Sequence, residues 1–195
     1  VVLTGNVNLK TRLWRPPTAG SETGTWSALN QATYTILPDD NQLRFTEVMY
    51  NPVDGDDYEF IELQNVGDVT INLAGMYLDE GVRFSFPPNT PPLAAGEVMV
   101  LASNPDALAE QHPGINIAGR YEGHLSNKGE TIMLKDVNGN TILDVTYNDE
   151  YGWPVSADGR GDSLTLYRID GDPDEPLNWQ ASNRLGGTPG VVYIP

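Results

Sequence analysis

The chain has 195 residues, no cysteine, and 27 acidic against 11 basic side chains, for a formal charge of −16. Disulfides, thiolate chemistry and Cys-ligated zinc are excluded. No nucleic-acid partner and no membrane insertion are expected, because polyanions and anionic lipid surfaces call for basic patches and no apolar run of about 18 residues appears.

An acidic surface suits secretion and divalent cations, and oxygen ligands favour calcium. Val1 to Leu3 read as the middle of a strand, so the chain is expected to be a piece of a longer protein. Asn6 to Trp14 alternates, with Val7, Leu9, Thr11 and Leu13 on one face and Asn8, Lys10 and Arg12 on the other. Arg15-Pro16-Pro17 and a Gly/Ser/Thr-rich stretch to Thr25 form a loop, and Trp26 to Ile36 returns as the second arm of a hairpin. The domain plan read from this pattern is a partial β module over 1–37, a linker over 38–41 and a second domain over 42–195.

From Leu43 the strands come in quick succession: Leu43–Tyr50, Tyr58–Asn65, Thr70–Leu73, Met76–Leu78, Val82–Phe86 and Glu97–Ala102. One helix is predicted after Ser103 or Asn104 as N-cap, with Pro105 at its first position and Pro113-Gly114 at its end. Thr131–Lys135 and Thr141–Tyr147 flank Asn138-Gly139, a hairpin turn signal, and Ser163–Ile169 is a further strand. Many short strands joined by turn residues predict an all-β antiparallel sandwich with one short helix, preceded by the N-terminal hairpin.

Phe45-Thr46-Glu47-Val48-Met49-Tyr50-Asn51-Pro52 followed by Tyr58-Glu59-Phe60-Ile61-Glu62-Leu63-Gln64-Asn65 resembles the opening strand pair of a bacterial lamin tail domain. Later segments keep the same order, from Leu73-Ala74-Gly75-Met76-Tyr77-Leu78 through Leu125-Ser126-Asn127-Lys128-Gly129-Glu130 and Trp153-Pro154 to Gly186-Gly187-Thr188-Pro189-Gly190. This resemblance covers about residues 42–190 and implies an immunoglobulin-like β-sandwich. Leu9-Lys10-Thr11-Arg12 and Gly24-Thr25-Trp26-Ser27-Ala28-Leu29 are similar to the closing hairpin of a chitobiase-C-terminal-like module. Together the resemblances imply a non-catalytic accessory, adhesion or spacer module of a secreted or cell-surface bacterial protein. Its partners would be neighbouring domains of the same polypeptide, with a cell-surface polysaccharide or protein as ligand. An isolated hairpin is marginal in water, so the first segment is expected to lean on a neighbour or to self-associate.

The candidate site residues fall into three groups. Asp54, Asp56 and Asp57 crowd one loop; they read either as an ordinary acidic turn or as a calcium site, although an EF-hand's spaced ligands are missing. No cofactor is required by this reading, and calcium is the one that the loop would take. Glu47, Glu59 and Glu62 form a possible carboxylate cluster. Strict alternation puts Glu47 with Leu43, Phe45 and Met49, where a charge needs a partner, whereas a bulge would turn it outward. Glu59 and Glu62 point to opposite sides of their strand, so at most one joins Glu47. Trp153, Tyr147 and Tyr151 are the candidates for stacking a sugar ligand, against a packing role in the sandwich.

Catalysis is not expected. Of the two histidines, His112 reads as a helix-ending residue, and His124 has Ser126 nearby but no orienting carboxylate evident in sequence. The rival readings are a calcium-dependent carbohydrate-binding module, which needs exposed coplanar aromatics, and a hydrolase domain, which needs a pocket uniting His124 with a nucleophile.

Overall fold

The structure, a computed structural model, describes residues 7–17, 23–34 and 42–191. The predicted linker at 38–41 lies outside the described residues, as do the ends of both predicted N-terminal strands. Spatial proximity divides the chain into two units, Val1–Leu37 and Pro38–Pro195.

In the first unit, strand β1 (Val7–Thr11) pairs antiparallel with β4 (Asn30–Tyr34), and β2 (Trp14–Arg15) pairs with β3 (Thr25–Trp26). Between these pairings the backbone leaves the ladder, and the Ser27 amide and Leu13 carbonyl close the gap with a 2.9 Å hydrogen bond. Trp14 and Trp26 face each other across the ribbon at 4.9 Å between ring centroids. Leu9, Leu13, Trp14, Trp26 and Leu29 all remain exposed. A two-stranded ribbon has no second layer to cover such side chains.

The second unit is an immunoglobulin-like β-sandwich. One sheet holds β5 (Leu43–Met49), β6 (Phe60–Asn65), β9 (Val98–Ala102), β10 (Ile117–Arg120), β13 (Leu164–Leu166) and β14 (Trp179–Ala181), in the order β10-β9-β6-β5-β13-β14. The other holds β7 (Tyr77–Glu80), β8 (Phe84–Ser85), β11 (Glu130–Lys135) and β12 (Thr141–Tyr147), in the order β12-β11-β7-β8. Pairing is antiparallel except for β10 against β9, which is parallel.

Two faces of the larger sheet are buried, and the register says which residue serves which. Val48 sits opposite Ile61, which sits opposite Leu101, and Phe45 sits opposite Leu63. These side chains form the inner layer, against Leu78, Ile132, Leu134, Leu143 and Val145 of the smaller sheet. Fully burying each such side chain contributes roughly 1.5–3 kcal/mol. The residues between them, Met49, Phe60, Val100 and Ala102, point to the outer face and form a second cluster with Leu108. Leu108 is carried by α1 (Pro105–Gln111), which starts where the sequence places it: the Asn104 side chain caps the Ala107 amide and Pro105 opens the first turn. A short helix laid over the sheet thus covers the outer side of Met49, Phe60, Val100 and Ala102.

Several predicted boundaries shift. Thr70–Leu73 contributes only an isolated bridge from Ile71 to Leu93. Residues Asp56–Tyr58, read in part as strand, form a 3₁₀ turn ahead of β6. Asn138-Gly139 lies in a turn whose centre is Asp136, which accepts the Asn138 and Asn140 amide nitrogens at 2.8 Å each. Burial opposes ionisation of that carboxyl, but the Asn140 and Asn138 donors outweigh it and hold it below its ordinary range. Its oxygens serve the turn.

Candidate functional site

A bulge at Thr46 decides where Glu47 goes. Phe45 pairs with Leu63, and the next paired residue, Glu47, sits opposite Glu62. The extra residue reverses the alternation, so Glu47 leaves the face of Phe45 and joins Met49 on the outer one. It does not reach water there. Segment 186–191 crosses this face and leaves Glu47 and Glu62 each 2% exposed.

Two buried carboxylates side by side would repel, and the surroundings show how the fold accommodates them. Glu47 accepts hydrogen bonds from Ser163 Oγ, from the Thr188 amide at 2.7 Å and from Thr188 Oγ1 at 3.0 Å. Glu62 accepts from Thr46 Oγ1 at 2.6 Å and from the Gly190 amide at 2.6 Å. Burial raises the pKa of Glu47, and the Ser163 and Thr188 donors only partly oppose this. Burial together with the neighbouring Glu47 pushes Glu62 up to about 8, against the Thr46 and Gly190 donors. Near neutral pH the pair therefore holds a proton and carries less than its full two negative charges.

Gly187 lets the segment come this close. Its φ of +83° suits glycine, and a Cβ there would lie 2.7 Å from Glu47 Oε1 and 2.8 Å from Phe60 Cζ. Beside the pair opens a cavity of about 330 Å³, whose wall includes Thr165, Gln180, Asn183 and Arg184. Thr165 Oγ1 is buried there with no hydrogen-bond partner among the described residues.

Glu59 belongs to a different place. It is 1% exposed, and its Oε2 accepts from Tyr121 Oη at 3.0 Å and from the Leu125 amide at 3.1 Å. Burial raises its pKa to about 7, with Asp56 adding to the rise and the Leu125 and Tyr121 donors and His124 opposing it. His124 Nδ1 stands 3.7 Å from Asp56 Oδ2 and 3.8 Å from Glu59 Oε2. The orienting carboxylates that the sequence did not reveal for His124 are thus present, 65 and more positions away in the chain. Asp56, Glu59 and His124 offer ligand atoms all within 4.8 Å of one another, which makes them the one group among the described residues able to hold a metal. Asp54 and Asp57 are exposed in the same loop and stand outside this group, so the structure does not assemble the Asp54–Asp56–Asp57 set.

The stacking platform is corrected too. Tyr147 is fully buried, 4.9 Å from the ring of Tyr50, and its hydroxyl donates to the Ser126 carbonyl. Trp153 is buried against Trp179 at 5.8 Å. Of these three, Tyr151 alone is exposed, at 85%. The packing role wins because both rings fill the interior of the sandwich.

The Lamin Tail Domain family model matches residues 38–149. The chain belongs to that family. Glu47, Glu59, Glu62, Asp56 and His124 lie inside the lamin tail match, whereas Ser163, Thr188 and Gly190, which hold the Glu47–Glu62 pair, lie beyond its end. No curated protein matches the chain. The partners at 163, 188 and 190 were not singled out from sequence as ligands of the carboxylates. The only signal was the place of Thr188 and Gly190 in the Gly186–Gly190 segment of the resemblance.

Proposed function

We propose that this lamin tail domain is a non-catalytic accessory module, serving as a spacer or adhesion unit for neighbouring domains of a larger secreted or cell-surface bacterial protein. The observation that carries this reading is the state of the Glu47–Glu62 pair. A glycosidase or an acid protease also places two carboxylates together, but it leaves their oxygens open to substrate or water. Here every one of the four oxygens accepts a hydrogen bond from the protein itself. Such a pair holds a chain segment in place, its oxygens engaged by the protein's own donors.

The histidines point the same way. His112 Nε2 contacts the Gly186 carbonyl at 3.1 Å, and burial lowers its pKa. His124 faces two carboxylates, and no serine or threonine hydroxyl is bonded to it among the described residues. Acyl transfer by a side-chain nucleophile needs a hydroxyl bonded to its base, and His124 has no such partner among the described residues. The acidic composition and a core that runs from Leu43 to Trp179 within the second unit support life as an independent module beside others.

The test is an assay of the purified chain on glycoside, ester, peptide and phosphate substrates. The expected outcome is no turnover above buffer. Turnover that disappears in Glu47→Ala or His124→Ala, with the circular dichroism spectrum unchanged, would overturn the proposal.

A further inference from the structure

We propose that Asp56, Glu59 and His124 form a binding site for a first-row divalent cation of the zinc type. The argument starts from the three ligand atoms. A zinc ion holds imidazole nitrogen and carboxylate oxygen at about 2.0–2.2 Å, which sets neighbouring ligands of a tetrahedron about 3.3–3.6 Å apart. The measured edges from His124 Nδ1 are 3.7 Å to Asp56 and 3.8 Å to Glu59, and the third edge is within 4.8 Å. Closing this triangle on an ion takes side-chain adjustments of a few tenths of an ångström at two edges and up to about 1.5 Å at the third. The side chains of Asp56 and His124 are 63% and 67% exposed, so both are free to make them.

The fixed ligand is Glu59. It is 1% exposed, and His124 Nδ1 stands 3.8 Å from its Oε2. Its orientation is set before any ion arrives, because Tyr121 Oη and the Leu125 amide both donate to Oε2. Ligating carboxylates in metal sites are held by such outer hydrogen bonds. No hydrogen bond among the described residues is donated to Oε1. The ligands also come from distant parts of the chain: Asp56 opens the 3₁₀ turn and Glu59 follows it, Ser103 Oγ ties the turn down through the Asp56 carbonyl at 2.5 Å, and His124 comes from the segment after β10. An ion would therefore cross-link two loops.

The donor set also selects the ion. Calcium takes six to eight oxygens in roughly that range of counts, and with Asp54 and Asp57 outside the group only two carboxylates are at hand. An imidazole with two carboxylates suits zinc, nickel or cobalt, and three protein ligands leave a coordination position open.

The test is a calorimetric titration of the full chain, without an affinity tag, with zinc chloride and separately with calcium chloride. One equivalent of zinc is expected to bind. His124→Ala and Asp56→Asn should each weaken it by at least about tenfold, whereas His112→Ala should leave it unchanged. Because Asp56 and His124 are exposed, both variants should keep the metal-free melting temperature, which separates a lost ligand from a lost fold. Cobalt(II) should give visible absorption bands that vanish in His124→Ala. An absence of zinc binding, binding indifferent to both variants, or calcium binding as tight as zinc would overturn the proposal.

Discussion

Replacing Glu62 by glutamine probes the buried pair without changing its shape. Glu62 titrates at about 8 in the fold against 4.5 for an ordinary glutamate, so folding takes up a proton at this site anywhere between those values. The sign follows from linkage: the folded-state pKa is raised, so the stability contribution is full below the unfolded value and is lost as the pH rises through the folded one. Each pH unit in that window removes about 1.4 kcal/mol per proton taken up. Going from about pH 5 to about pH 7.5 thus removes roughly 3 kcal/mol through Glu62, and Glu47, also raised, acts with the same sign. A glutamine needs no proton. Its amide can donate to Thr46 Oγ1 while its oxygen accepts from the Gly190 amide, the two groups that Glu62 now bonds. Glu62→Gln should therefore be close to neutral near pH 5 and more stable than the parent by roughly 1–3 kcal/mol near pH 7.5. Urea unfolding at a series of pH values measures this directly. An identical fall in stability with pH in parent and variant would refute the reasoning.

Three further outcomes are expected. Gly187→Ala combines a positive φ with contacts on Glu47 and Phe60, and should lose about 2–4 kcal/mol by chemical denaturation. Thr165→Val exchanges a buried, unpartnered hydroxyl for a methyl of the same shape and should gain about 1 kcal/mol; a loss of that size would mean the hydroxyl has a partner. A chain beginning near Asn41 keeps the whole sandwich core, which starts at Leu43, and should unfold in one cooperative transition; a broad, non-cooperative melt would place the boundary elsewhere.

The strands of the sandwich were legible where their pattern was strong. β5, β6, β9, β11 and β12 have runs of apolar or alternating residues, and α1 has both a capping asparagine and a proline at its start. Ile117–Arg120 gave no such signal, because it is four residues long, contains Gly119 and pairs parallel with β9 instead of closing a hairpin. Glu47 shows why a site is harder to read than a strand. Its two sequence readings were burial with the core or a turn outward through a bulge. The bulge is there, yet the residue is still buried, because a segment some 140 positions later covers it. His124 is the same case: its carboxylates are set by tertiary contact, and nothing in its own neighbourhood announces them. Tyr147 and Trp153 stay open between two readings in the sequence, since an aromatic side chain in a sandwich reads alike whether it packs or stacks a ligand, and the structure buries both.

The central claim is that the Glu47–Glu62 pair serves the fold by holding segment 186–191, and amide hydrogen exchange tests it most directly. The Thr188 and Gly190 amides donate to the two carboxylates at 2.7 Å and 2.6 Å, so both should be strongly protected at neutral pH, and Glu47→Ala should sharply lower the protection of Thr188 while amides of β6 and β9 keep theirs. Thr188 and Gly190 amides that exchange as fast as open chain in the parent, or a Glu47→Ala variant with unchanged protection at Thr188, would contradict the account.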